Sequence, residues 1–153
     1  MKPVLLLNGP NLNLLGQRDP FYYGDHSLDD IVLNVREFFE SHSIELESYQ
    51  SNHEGDLIDQ LHRAHESYSG VLFNPGAYTH TSVALRDAVE AIAPPVIEVH
   101  ISNVHNREKF REKSFIAPVS AGQIVGFGVE SYLVAAFAMT KILKKERESI
   151  NDS

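Results

Sequence analysis

Val4-Leu5-Leu6-Leu7 is an unbroken apolar run stopped by Asn8-Gly9-Pro10, the pattern of a central strand covered on both faces. Residues 10 to 26 are rich in Asn, Gly and Pro and carry no period, which predicts a long loop of the kind that usually serves as a lid or a binding loop. From Ser27 the spacing turns helical. Leu28, Ile31, Val32, Val35, Phe38 and Phe39 share a stripe, with Ser27 as N-cap and two aspartates in the first turn. Ile44 to Tyr49 alternates as a partly exposed strand at a sheet edge. Leu57, Ile58, Leu61 and Ala64 mark a second helix, capped by Asn52 to Gly55. Val71-Leu72-Phe73, closed by Asn74-Pro75-Gly76, predicts a buried strand, and Leu85, Ala88, Val89 and Ile92 the helix after it, ended by Pro94-Pro95. Val96 to Ile101 reads as the fourth strand, Ile124 to Phe127 as the fifth, and residues 129 to 145 as the last helix, with a charged tail from Lys144 expected to fray.

This alternation of strand and helix predicts an α/β fold, a parallel sheet with helices on both faces. Five strands suit a flavodoxin-like three-layer sandwich of order 2-1-3-4-5, one domain over residues 1–147 followed by a polar tail, 148–153. Ligands in such sheets sit outside the carboxyl ends of the strands, near the switch point. The segments falling there are Asn8 to Gly24, Asn74 to Thr81 and His100 to Arg111.

Charge and composition narrow the chemistry. A net charge of −8 leaves no positive surplus to displace counterions from a nucleic acid. The chain has no cysteine, which excludes thiolate nucleophiles and disulfides and makes the cytosol the expected compartment. The apolar run at the N-terminus is too short for a signal peptide or a membrane span. The three loops together carry Arg18, Tyr22, Tyr23, His80, His100, His105, Arg107 and Arg111, with Asn11, Asn13 and Asn74 as neutral donors. That set suits an anionic ligand and proton transfer. No lysine lies between Lys2 and Lys109, which disfavours an imine mechanism, and there is no Walker loop. His62 and His65 share a helix face without HExxH spacing and read as surface residues, while Gly122, Gly126 and Gly128 read as close packing between the last strand and the last helix.

Three stretches are specific as a group. Asn8-Gly9-Pro10-Asn11-Leu12-Asn13-Leu14-Leu15-Gly16, followed by Arg18, Pro20, Tyr23 and Gly24, resembles the opening signature of the type II 3-dehydroquinate dehydratases. Phe73 to Ser82, and Glu98 to Asn103 continuing to Arg107 and Arg111, are similar to that family's other two signatures in order and spacing. The likeness runs from Val4 to the last helix.

The resemblance implies a hydro-lyase that converts 3-dehydroquinate to 3-dehydroshikimate by anti elimination through an enolate, in aromatic biosynthesis or quinate catabolism. It further implies a flavodoxin-like catalytic subunit, a dodecamer built of trimers, and no metal or organic cofactor. Its catalytic residues fall on Tyr23 as base, His100 as acid, Arg18, Asn11 acting through a water, and Glu98. Its substrate contacts fall on Asn74, His80, Ile101, Ser102 and Arg111, with Asp87 reaching a neighbouring subunit's site. The residue types support these roles. A free tyrosine is mostly protonated at neutral pH, and a nearby cation such as Arg18 favours its phenolate. Glu98 lies two residues before His100, hence on the same strand face, where it can orient and charge the imidazole. Arg111 can grip a carboxylate or ring hydroxyls. A related acid–base isomerase or hydro-lyase would use the same set, and a flavodoxin-like binding or signalling module would share the architecture.

Overall fold

In the computed structural model, which describes residues 1–17, 19–23 and 25–151 without the side chains of Pro20 and Tyr23, five parallel strands form one sheet. They are β1 (Val4–Asn8), β2 (Leu46–Gln50), β3 (Gly70–Asn74), β4 (Val96–His100) and β5 (Gly122–Val125), ordered β2-β1-β3-β4-β5. The long helices are α1 (Leu28–Glu40), α2 (Glu54–Ser67), α3 (Val83–Ala91) and α4 (Glu130–Asn151). Alternate residues of β1 serve opposite cores. Val4 and Leu6 pack with Val35 and Phe39 of α1 and Tyr132 and Met139 of α4, whereas Leu5 and Leu7 pack with Leu57 and Leu61 of α2 and Leu85 of α3. The predicted three-layer sandwich and its strand order are found as read. Strand β2 is an edge with one face to water, and Ser27 closes a reciprocal capping box with Asp30 at the start of α1.

Four expectations need correction. The segment 10–26 is not free of local structure: a 3-10 turn at Leu12–Leu14 buries Leu12, Leu15 follows it into the core, and Pro20–Tyr23 forms one helical turn. The fifth strand begins and ends two residues early, because Gly126 turns the chain at φ 92° against Asn103. Only Gly126 of the three late glycines is tightly packed, since a Cβ on Gly122 or Gly128 would meet nothing within 4 Å. The charged tail does not fray at Lys144. Helix α4 continues to Asn151 through Lys, Glu and Arg, which are good helix formers, with Lys144 and Glu148 one turn apart.

The switch point is drawn tight. The Gly9 N–H donates to the Asn74 carbonyl at 2.7 Å, so the loops leaving β1 and β3 run side by side. Asn52 does not cap α2 by its side chain, whose N-cap is His53. Its Oδ1 instead accepts from the Asn11 N–H at 3.0 Å and from Gln50 Nε2 at 3.1 Å, which fixes the β1 loop from the side of β2.

Candidate active site

A cleft opens at the carboxyl ends of β1, β3 and β4. Asn11, Asn74, His80, His100, Ser102 and Arg111 line it, together with Ile101 and Arg107. Asn74 and His100 end strands, Asn11, Ile101 and Ser102 follow within three residues of one, and His80, Arg107 and Arg111 stand on or beside the 3-10 turns beyond. Asn11 holds the left-handed conformation at φ 69°, an arrangement that asparagine tolerates better than most residues. Asn74 ends β3 nearly buried, its Nδ2 donating to the Tyr132 hydroxyl at 2.8 Å and its Oδ1 accepting from the Gly76 N–H at 3.0 Å. The Tyr132 hydroxyl in turn donates to Asn8 Oδ1 at 2.7 Å, and its burial pushes the phenol far above its ordinary pKa, so it stays neutral.

His100 ends β4, with Nε2 2.6 Å from Glu98 Oε2 and Glu98 wholly buried. The same-face expectation for positions 98 and 100 therefore holds. Burial alone would raise the Glu98 carboxyl. The hydrogen bond and charge of His100, and the hydroxyls of Thr79 and Ser114, outweigh it and hold the carboxyl below its usual range. Gln123 Nε2 also donates to Glu98 Oε1 at 3.0 Å. Thr79, Ser114 and Gln123 were not legible as site residues, because each approaches Glu98 from a different segment of the chain.

His80 Nδ1 lies 2.8 Å from the Lys113 carbonyl. Burial, aided by the neighbouring charges of His100 and Arg111, holds His80 below the usual histidine value against the opposing pull of its hydrogen bond to Lys113 and of the Glu98 charge. Arg111 is held by Glu108, Nε to Oε2 at 3.0 Å. Arg107 donates to the Ser102 hydroxyl at 3.3 Å and lies over the Tyr22 ring at 4.3 Å, so the turn Pro20–Tyr23 rests on the β4 loop. The Ile101 carbonyl accepts the Gly128 N–H at 3.0 Å, which ties the end of β4 to the start of α4.

Not every predicted residue is brought in. Arg18 and the side chain of Tyr23 lie outside the described residues. Asp87 is exposed on α3 and does not line the cleft, and His105 is exposed in a 3-10 turn. His62 and His65 are exposed as read, with His65 Nδ1 accepting the Ala93 N–H at 3.0 Å beyond the end of α3.

The arrangement is a carboxylate-backed imidazole facing a cleft with cationic and neutral donors, suited to proton transfer on an anionic ligand. Known proteins share both the sequence and the fold that build it. The sequence model of the Dehydroquinase class II family matches residues 2–140. A 3-dehydroquinate dehydratase of Anoxybacillus flavithermus is 56% identical over 144 residues, covering 94% of this chain and 97% of the relative. One of Bacillus pumilus is 58% identical over 135 residues, covering 88% and 92%. The crystal structure of a type II dehydroquinase from Butyrivibrio crossotus superposes with a TM-score of 0.88 at 45% identity, covering 91% of this chain and 97% of that one. With a family match over nearly the whole chain, and the fold in common with a solved type II dehydroquinase, the chain belongs to the class II dehydroquinases.

Proposed function

We propose that this chain dehydrates 3-dehydroquinate in the shikimate pathway, by two proton transfers on opposite faces of the ring. The observation that carries the reading is the buried Glu98 set 2.6 Å from His100 at the mouth of the cleft. An anion there stabilises the imidazolium, and a charged imidazole is a competent acid for a departing hydroxyl.

Tyr23 is the base, with Arg18 favouring its phenolate. It takes the proton from the carbon beside the ketone, and the electron pair moves onto the ketone oxygen as an enolate. Asn11 holds that oxygen through a water, a neutral donor where charge develops. The enolate then returns its pair to form the carbon–carbon double bond as the carbon–oxygen bond breaks. His100 gives its proton to the leaving hydroxyl, which departs as water. Arg111, Asn74, His80 and the Ile101-Ser102 segment hold the carboxylate and ring hydroxyls. Asp87, which faces away from its own cleft, contacts the substrate of a neighbouring subunit in a dodecamer of trimers, a cytoplasmic assembly.

No helix among the described residues is long and apolar enough to cross a membrane. The test is spectrophotometric: 3-dehydroquinate yields a conjugated enone when water is lost. Appearance of that absorbance with purified protein is the expected result, undiminished by a chelator or by borohydride. An isomer of the substrate as product, or specific trapping of a lysine adduct, overturns the reading.

A further inference from the structure

Glu98 is a buried carboxylate whose ion-pair partner among the described residues is His100. Its hydrogen bonds can be counted. Oε2 receives His100 Nε2 at 2.6 Å and the Thr79 hydroxyl. Oε1 receives Gln123 Nε2 at 3.0 Å and the Ser114 hydroxyl at 2.8 Å, with Oε2 also in reach of Ser114 at 2.9 Å. Ser114 Oγ accepts from the N–H groups of Ile116 at 3.1 Å and Ala117 at 2.9 Å. Those two bonds fill its lone pairs and direct its one proton to the carboxylate. Thr79 Oγ1 also lies 2.8 Å from Ser114 Oγ, but with its own proton on Glu98 it adds no competing donor.

A carboxylate offers about four lone-pair sites, and four donors meet them. Three donors of fixed sense, the Thr79 and Ser114 hydroxyls and the Gln123 amide, converge on the carboxylate and favour its anion, in line with the Glu98 carboxyl lying below its usual range. The shared proton of the pair then belongs to His100 Nε2, and Nδ1 is the nitrogen available to the cleft. The three donors besides His100 come from separate places: the turn after β3, the loop before β5, and β5 itself, where Gln123 is the register partner of Glu98.

We propose that Thr79, Ser114 and Gln123 are positioning residues for the elimination, a donor cage that keeps Glu98 anionic and aimed at Nε2 so that the acid proton stays on His100. The inference rests on the reading of His100 as general acid. During the step, Nδ1 gives its proton to the departing hydroxyl, water leaves with the pair of the broken carbon–oxygen bond, and neutral His100 remains hydrogen-bonded to anionic Glu98.

The sign of the effect separates the cage from simple packing. A lost donor destabilises anionic Glu98 most after His100 has given up its proton, when no imidazolium compensates the charge. The pair then holds its last proton more tightly, and part of that proton's population moves onto Glu98. The alkaline limb of kcat moves up in pH while kcat falls. A merely loosened site lowers kcat and leaves the limb in place. His80 and Arg111 also face the pair, and Arg107 lines the same cleft; these groups, with Tyr23, are the same in every variant compared.

The experiment measures kcat against pH for Ser114→Ala, Ser114→Thr and Gln123→Met, with Glu98→Gln as control. Gln123→Met is included because Ser114→Ala also frees the Ile116 and Ala117 N–H groups. Expected are a roughly tenfold lower kcat and an upward limb shift of about one pH unit in Ser114→Ala and Gln123→Met, the scale of one charge-assisted hydrogen bond. Ser114→Thr, which keeps the hydroxyl, restores the parental limb. Glu98→Gln removes the charge and moves the limb down. If the limb stays put in both Ser114→Ala and Gln123→Met while Glu98→Gln moves it, the cage is overturned and the acid assignment stands. If Glu98→Gln leaves it unmoved, the acid assignment falls and the cage with it.

Discussion

In the proposed mechanism His100 and Tyr23 divide the reaction between them, and removing each leaves a different half possible. Tyr23→Phe removes the acceptor for the proton beside the ketone, so neither dehydration nor exchange of that proton with deuterated water is expected. His100→Ala leaves the base in place while the hydroxyl is stranded. Dehydration then falls by roughly 10²- to 10⁴-fold, yet deuterium still enters recovered substrate. Mass spectrometry of substrate recovered from both variants, after a binding check with a substrate analogue, reads the difference. Exchange at the parental rate in Tyr23→Phe would show that another group is the base. At this scale the sequence was informative where chemistry is local. Glu98 and His100 are two residues apart on one strand, and strand periodicity alone puts them on one face. The donors that complete the carboxylate are 19, 16 and 25 residues away, at Thr79, Ser114 and Gln123. A hydroxyl or amide at such a distance has no pattern to announce it. Only the closing of β5 onto β4 brings Gln123 opposite Glu98.

Between elements, the cleft depends on how closely the ends of β1 and β3 approach. A Cβ added at Gly9 would lie 2.6 Å from the Pro75 carbonyl oxygen and 2.7 Å from its carbon, both rigid backbone. One added at Gly70 would lie 2.6 Å from Met139 Sδ, the far end of a side chain that can swing away. Gly9→Ala must therefore separate the two loops that carry Asn11 and Asn74. We expect it to lose about 1–3 kcal/mol of stability, as overpacking does, and to raise KM. Gly70→Ala should lose less and leave KM unchanged. Urea midpoints for the two variants, with KM for each, decide the matter. Equal midpoints would mean that the loops yield as easily as a methionine. The same close approaches explain what periodicity could not show. Helices and buried strands were legible because their apolar stripes repeat, but the shift of β5 follows from one glycine turning against Asn103, and the turn at Leu12–Leu14 from two isolated leucines three residues apart.

At the scale of the molecule, buried ionisable groups set the pH range of stability. The Glu98 carboxyl, held below its usual value of 4.5, contributes stability that is complete above that pH and lost as pH falls through the folded value. His80, held below 6.5, resists charging, so acidification below 6.5 also favours unfolding. Tyr68 acts at the other end. Burial, then its hydrogen bond to Glu47 and that carboxylate's charge, push its phenol from 10 to about 12, so its contribution is complete below pH 10 and lost as pH rises through about 12. Tm should fall below pH 6.5 and above pH 10. Tyr68→Phe should flatten the alkaline fall, and an unchanged slope would remove Tyr68 as its cause.

In the proposed assembly, a neighbouring subunit completes each cleft. Asp87 is exposed on α3 and outside its own cleft, and nothing in the periodicity of α3 distinguishes it from a solvated helix charge. The proposed role, a contact supplied to a neighbour, has a consequence that no single-subunit role shares. His100→Ala destroys a subunit's own site but leaves its Asp87 to serve the next one. Asp87→Ala leaves its own acid intact and deprives the neighbour. Each homogeneous variant should be impaired at limiting substrate. Unfolding a one-to-one mixture and refolding it together scatters the two variants through each closed ring. About half the subunits then carry His100, and about half of those sit beside a neighbour that supplies Asp87, so about one quarter of the sites are whole. Activity at limiting substrate should rise toward that fraction of the parental value after co-refolding, and not when the separately folded variants are mixed. Recovery in neither case would place Asp87 outside the site of any subunit, while sedimentation of the same samples shows whether the proposed trimers and dodecamer had formed.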